Sequence, residues 1–385
     1  MKTVILHVGR HKTGTSSLQS FFSENSEILT RYDILYPMSG RRGGAHHLLA
    51  ETFSGAAVKN YSSGFSPLDF DVVKAIRREI DGAKEETVLV SSEAFQNVNP
   101  KTVQKIFSGY TLRIVMYLRE QSVYLRSAYA QRIHATNTTL SLQEYCQKTF
   151  RGSSDYFDYV GRWKSIFGES LDVLVYEREQ LINRSVVDDF VGRYLSKVSG
   201  VRGLKYPSPA NPSLAEVYLY YKLLLNHFLP DGVSIGGLYQ LLGRLSEEDG
   251  LTPFRLSERK VSQVKAAHKE SNLKVARKFF NRDHLFGSSE RPRVTAQDLP
   301  FPLDKEAVSN ISMLLENELP DLKSITGGAQ RFSQSAEVMR ILEKLKSEFL
   351  QEYGFSDRAV DSTAKSGVLR LLRLGSVGFG VRGRK

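Results

Sequence analysis

The chain has 385 residues, 41% of them hydrophobic, a net charge of +11 and a single cysteine. Length and apolar content are enough to bury a substantial core. The lone Cys146 excludes an internal disulfide and suits a reducing compartment, so a cytoplasmic location is expected. The charge does not mark a nucleic-acid reader: six basic residues and no acid fall in Lys365–Lys385, leaving +5 for the remainder, with no basic stripe interleaved with aromatics.

Val4-Ile5-Leu6-His7-Val8 is short and β-branched, as a buried strand requires. It begins so early that no signal peptide is expected before it, and no run of about 18 apolar residues follows anywhere. Gly9-Arg10-His11-Lys12-Thr13-Gly14-Thr15-Ser16-Ser17 reads as a glycine-containing turn, followed by a helix with Leu18, Phe21 and Phe22 on its apolar face. Asn25–Tyr32 continues in helical rhythm, and Ile34–Pro37 is a short strand closed by proline. A basic loop, Ser39–Ala45, leads into His46-His47-Leu48-Leu49-Ala50, and a second loop spans Tyr61–Pro67. An amphipathic helix over 70–81 precedes the strand Thr87–Ser91, with Ser92-Glu93 at its carboxyl end.

Leu112–Leu118 is a third core strand, and Arg119 opens a helix carrying Tyr124, Leu125, Tyr129 and Ile133. A helix over 155–167, a strand over 171–176 and a helix over 186–195 follow. Beyond a proline-containing loop at 200–212, the chain reads as mainly helical at 213–229, 260–281, 303–319 and 333–350, without an internal repeat. Strands alternating with helices predict an α/β fold: a P-loop-type parallel sheet flanked by helices, with a mainly helical C-terminal extension. The expected organisation is 1–199 as the α/β core, 200–353 as the helical extension and 354–385 as a basic tail. The apolar, basic stretch 367–374 could lie on an anionic membrane surface, or the tail could be a solvated end.

Strand, glycine turn and helix N-terminus form a geometry that holds phosphate, because backbone N–H groups and the positive helix end face the anion. Gly9 and Gly14 have the Walker spacing, but Thr15 stands where the Walker lysine belongs and Lys12 precedes the second glycine. Such a loop suits a smaller anion bound without metal better than a triphosphate with magnesium. No histidine or cysteine spacing suggests a metal site.

The Lys12-Thr13-Gly14-Thr15 core resembles the 5′-phosphosulfate loop of the sulfotransferase family. Arg119 at a strand end with Ser127 eight residues on resembles that family's 3′-phosphate site. The resemblance, strongest to bacterial and carbohydrate sulfotransferases, extends over about residues 3–290. It includes a late stretch from Lys278-Phe279-Phe280-Asn281 to His284-Leu285-Phe286. It implies 3′-phosphoadenosine-5′-phosphosulfate (PAPS) as sulfuryl donor and a hydroxyl acceptor, most plausibly a glycan. It further implies Arg10, Lys12, Thr13, Gly14, Thr15, Ser16, Ser17, Arg119 and Ser127 as donor-binding residues. The late R-K-G motif of the phenol and steroid branch is absent, so Gly203–Tyr206 or Asn211–Leu214 are candidates to complete the nucleotide site.

Lys12 is the candidate to neutralise the leaving phosphate. Glu93 is the leading candidate for the base: it is expected to face the open crevice without a strong ion pair, with partial burial raising its pKa. His47, from the His46-His47 pair, is the competing base; the bland alternative is a helix start with one ring packed and one solvated. Two other functions fit parts of the pattern, a metal-dependent P-loop kinase and a non-catalytic nucleotide-binding protein.

Overall fold

The computed structural model describes residues 1–54, 66–150, 154–207, 214–230, 233–287, 299 and 301–354. Most of the expected loop Tyr61–Pro67, the candidate Asn211-Pro212-Ser213 and the tail beyond Gly354 lie outside these residues. The chain forms two compact units, each discontinuous in sequence: Met1–Tyr124, Gly152–Ala210 and Ala267–Ser289 make the first; Leu125–Arg151, Asn211–Ala266 and Glu290–Lys385 make the second. The composition shift near 200 is therefore one of several crossings, and the late stretch 278–286 belongs with the first unit.

In the first unit the elements run β1 (Thr3–His7), α1 (Thr15–Glu24), α2 (Ser26–Arg31), β2 (Ile34–Leu35), α3 (His47–Glu51), α4 (Asp71–Gly82), β3 (Thr87–Ser91), α5 (Pro100–Ile106), β4 (Thr111–Leu118), the start of α6 (Gln121–Ala135), α7 (Tyr156–Phe167), β5 (Leu171–Val175) and α8 (Val186–Tyr194). All five strands are parallel, in the order β2-β3-β1-β4-β5. The fold is α/β, a five-stranded parallel sheet flanked by helices.

A strand buried on both faces reads as a continuous apolar run, because alternate side chains serve opposite faces. Val4, Leu6 and Val8 of the first strand region join Val88, Val90, Ile114, Met116 and Leu118 in one core, closed by residues of α3, α4, α5 and α7. Ile5, Leu89, Val115 and Tyr117 face the other core, closed by Leu18, Phe21 and Phe22 of α1 and by α8. The central strand β1 thus carries the glycine turn to the middle of the sheet's carboxyl edge, where ligands bind in folds of this type.

The second unit is helical. It holds the rest of α6, then α9 (Glu216–Asn226), α10 (Leu238–Glu248), the first part of α11 (Glu258–Phe280), α12 (Lys305–Glu318), α13 (Pro320–Thr326), α14 (Ala329–Gln334) and α15 (Ala336–Tyr353). Among the described residues no helix is long and apolar enough to cross a membrane.

Candidate anion-binding and proton-transfer site

Gly9 and Gly14 both have positive φ, 79° and 75°, and neither has room for a side chain. A Cβ on Gly9 would stand 2.7 Å from Glu93 Cα, and one on Gly14 would stand 2.9 Å from the Tyr176 ring. The turn is therefore wedged between the β3 and β5 ends, and only glycine allows both the backbone angle and the approach. Lys12 also has positive φ, 64°, which holds this loop residue in a conformation that costs about 1 kcal/mol or more.

Hydrogen bonds fix the loop from inside and outside. The buried Thr13 hydroxyl donates to the Arg10 carbonyl at 2.6 Å. The Arg119 guanidinium, at the end of β4, donates to the Lys12 carbonyl at 2.5 Å and lies over the Tyr176 ring at 5.3 Å. At the start of α1, no side chain caps the helix, Ser16 is exposed and Ser17 is half-buried. These are the conditions for an anion to take the first-turn N–H groups.

Arg10 differs from the rest of the set. It is 3% exposed and enclosed by the rings of Tyr124, Tyr156 and Tyr159 at 5.3, 5.4 and 4.8 Å from its guanidinium carbon. Its side chain is thus a buried cation packed on aromatic faces, and Thr13 spends its hydroxyl within the loop. Thr15 is also buried. Ser127 lies in the second turn of α6, on the stretch that belongs to the second unit.

Around the β3 end, histidines converge. The His46 N–H donates to Ser91 O at 2.9 Å, while His46 Nδ1 accepts from the Ser91 N–H at 3.2 Å. Its Nε2 therefore carries the proton and donates to Pro37 O at 3.0 Å. Burial pushes this ring down to about 3, so it is a neutral structural link. His7 Nδ1 pairs with Ser91 Oγ at 2.9 Å, and burial lowers its pKa to about 4. His47, half-buried at the start of α3, pairs through Nδ1 with Ser92 Oγ at 2.8 Å; Ser92 Oγ also accepts the Ala94 N–H at 3.2 Å.

Glu93 departs from expectation. Its carboxylate accepts from Gln19 Nε2 at 2.7 Å and lies 3.7 Å from His11 Nδ1. Its side chain is only 15% exposed. Burial does push its pKa upward, as expected, but bonds from His11, Gln19 and its own backbone N–H outweigh that, holding it at about 2. It faces the glycine turn, yet it is a tethered carboxylate. Gln19 and His11 lie outside the residues that the family resemblance implies for the site. The available signal was helical spacing: Gln19 is one turn beyond Thr15, on the same face of α1.

The basic loop and one candidate for completing the nucleotide site are both held by local bonds. Arg41 and Arg42 in the basic loop are engaged, Arg41 with the Tyr36 and Pro37 carbonyls and Arg42 with Glu51. The candidate Gly203–Tyr206 is tied at Lys205 to Asn25 by bonds of 2.7 and 2.8 Å. Asn25 closes the far end of α1, ten residues long, so the segment is held about 15 Å along the helix from the turn. Among the described residues no group of three or more His, Cys, Asp or Glu is placed to hold a metal ion.

No protein-family model matches the chain. An uncharacterized protein of Archaeoglobus fulgidus is 29% identical over 213 residues, which cover 53% of this chain. The chain spans 56% of that relative's length. A crystal structure of a sulfotransferase from Alicyclobacillus acidocaldarius is similar at 22% identity and a TM-score of 0.38, covering 63% of this chain and 96% of that one.

Proposed function

We propose that the chain is a PAPS-dependent sulfotransferase acting on a hydroxyl, most plausibly of a carbohydrate or glycoconjugate. The observation that carries this reading is the turn Gly9–Thr15. It places Lys12 ahead of the second glycine, opens onto an uncapped helix N-terminus, and is held from the β4 end by Arg119. Two sequence motifs 107 residues apart thus meet in one hydrogen bond.

The residues present fit a phosphosulfate. The uncapped first turn of α1, with Ser16 and Ser17, would receive its 5′ end, and Lys12 the charge developing on the leaving phosphate. The resemblance to the sulfotransferase 3′-phosphate motif implies Arg119 and Ser127 as the residues for that phosphate. Thr13 and Arg10 act from within, Thr13 by closing the turn and Arg10 by placing a buried positive charge beneath it. When bound, PAPS supplies an activated sulfuryl group: the acceptor oxygen bonds to sulfur as the sulfur–oxygen bond to the 5′-phosphate breaks.

The acceptor's proton must leave as that bond forms. A carboxylate held at about 2 has little driving force to take it at neutral pH. We therefore assign the proton to His47: in the tautomer whose Nδ1–H donates to Ser92 Oγ, the other ring nitrogen is the accepting atom. Glu93 becomes the anchor that holds His11 and α1 against the turn.

The test is thermal stabilisation by adenosine-3′,5′-bisphosphate without magnesium. The proposed reading expects a clear rise in melting temperature. A preference for ATP with magnesium would instead establish the kinase alternative. A glycan panel incubated with labelled PAPS then addresses the acceptor, and label transferred only to phenols or steroids would remove the carbohydrate assignment.

A further inference from the structure

The second unit contains a cavity of about 800 Å³, a volume suited to a ligand of disaccharide size. It lies among helices α6, α9, α11 and α15 and the short helical turn Leu142–Tyr145. Four independent features mark it as more than a packing gap.

The first is backbone geometry. The turn Leu142–Tyr145 runs directly into a π-helical segment, Cys146–Phe150, whose first two residues line the cavity. Such π-helical insertions cost hydrogen-bond quality and recur at functional sites. The second is charge. Lys260 and Glu352 form an ion pair at 3.1 Å, with side chains only 12% and 17% exposed. Arg259 and Glu348 complete two cations and two carboxylates on the wall. The charges balance, so the cavity offers no net attraction to a phosphate, a sulfate or a polyamine.

The third is the rim. Gln143, Gln147 and Gln263 line the cavity and are exposed, and a planar amide can donate to one ligand hydroxyl while accepting from its neighbour. The fourth is the floor, built from Tyr129, Tyr220, Phe254 and Phe349. The Tyr129 hydroxyl is already spent on Leu140 O at 3.0 Å, so its ring offers only an apolar surface. Glu348 is an acceptor on the same wall, and a carboxylate takes a ligand hydroxyl in a charge-assisted bond.

A ligand matching this lining is neutral, has hydroxyls around its edge and presents C–H groups on its faces. We propose that this cavity is a binding site for a neutral carbohydrate of about two sugar rings. The proposal goes beyond the sulfuryl-transfer reading and does not rest on it, since every residue used belongs to the second unit.

Saturation-transfer difference NMR on the full chain tests it, with cellobiose, maltose, lactose and N,N′-diacetylchitobiose as probes and inorganic sulfate and spermidine as charged comparisons. At least one disaccharide should bind at millimolar concentration. The double variant Gln143→Ala, Gln263→Ala should weaken it about tenfold by losing two exposed hydrogen-bonding groups. Its melting temperature and its response to adenosine-3′,5′-bisphosphate should be unchanged. The proposal is overturned if none of the four sugars binds, if spermidine or sulfate binds more tightly than all of them, or if the double variant binds sugar as well as the parent chain.

Discussion

The two strand ends that flank the glycine turn are built from different chemistry. At the β3 end, imidazoles and a carboxylate are held by specific hydrogen bonds: His7 to Ser91, His47 to Ser92, Glu93 to Gln19. At the β4 side, guanidinium groups rest against aromatic rings, Arg119 on Tyr176 and Arg10 among three tyrosines. The first arrangement orients titratable groups, keeping His7 neutral and Glu93 ionised at neutral pH, and the second holds permanent positive charge where no titration can remove it. Under the proposed function, the turn between them meets an anion on one side and a proton acceptor on the other.

The largest expected effect breaks the charged half of this comparison. Lys12→Ala should lower sulfuryl-transfer turnover roughly 10²-fold or more while the melting temperature holds. Steady-state rates with labelled PAPS measure it, and turnover within a few-fold of the parent would remove Lys12 from the mechanism. Arg119→Ala comes next. Losing a charge-assisted bond to the Lys12 carbonyl should weaken adenosine-3′,5′-bisphosphate binding by about tenfold to a hundredfold, read by calorimetry. Equal affinity in the variant would remove Arg119 from the 3′-phosphate site and mean that the turn holds its shape without that bond.

The histidine half is sharpened by pH. His46 is held at about 3 and His7 at about 4 by burial, against 6.5 for a free imidazole. Between those values the unfolded chain binds more protons than the folded one, so stability falls as pH drops below 6.5. Glu93 is held at about 2 against 4.5, so its contribution is present above 4.5 and is lost as pH falls toward 2. Acid unfolding should therefore have two limbs. Glu93→Gln should flatten the lower one, worth up to about 3 kcal/mol, and extend the upper one to slightly lower pH, because the Glu93 charge raises the His7 pKa. Urea titrations at a series of pH values would show this, and an unchanged lower limb would mean that the carboxylate is not tethered in solution.

The smallest effect concerns orientation. Ser92→Ala removes the partner of His47 Nδ1, and turnover should drop only a few-fold, since the ring stays on α3. The accompanying sign is a displaced pH–rate profile. A lower rate with an unmoved profile would count against His47 as the proton acceptor.

The β1–turn–α1 unit was legible in the residues alone because its determinants are local. A β-branched run forms the strand, glycines allow positive φ at two positions, and Leu18, Phe21 and Phe22 recur at helical spacing. The parallel sheet follows from the alternation of strand and helix by the same short-range logic. The state of Glu93 was not legible, because burial and hydrogen bonding push its pKa in opposite directions. Which prevails depends on Gln19 and His11, residues 74 and 82 positions away in the chain. Arg10 is a similar case: its neighbours in the turn suggest a phosphate ligand, whereas tyrosines from α6 and α7 close around it. Local sequence sets backbone conformation within a few residues; the electrostatic environment of a side chain is a sum over neighbours that only the folded chain brings together.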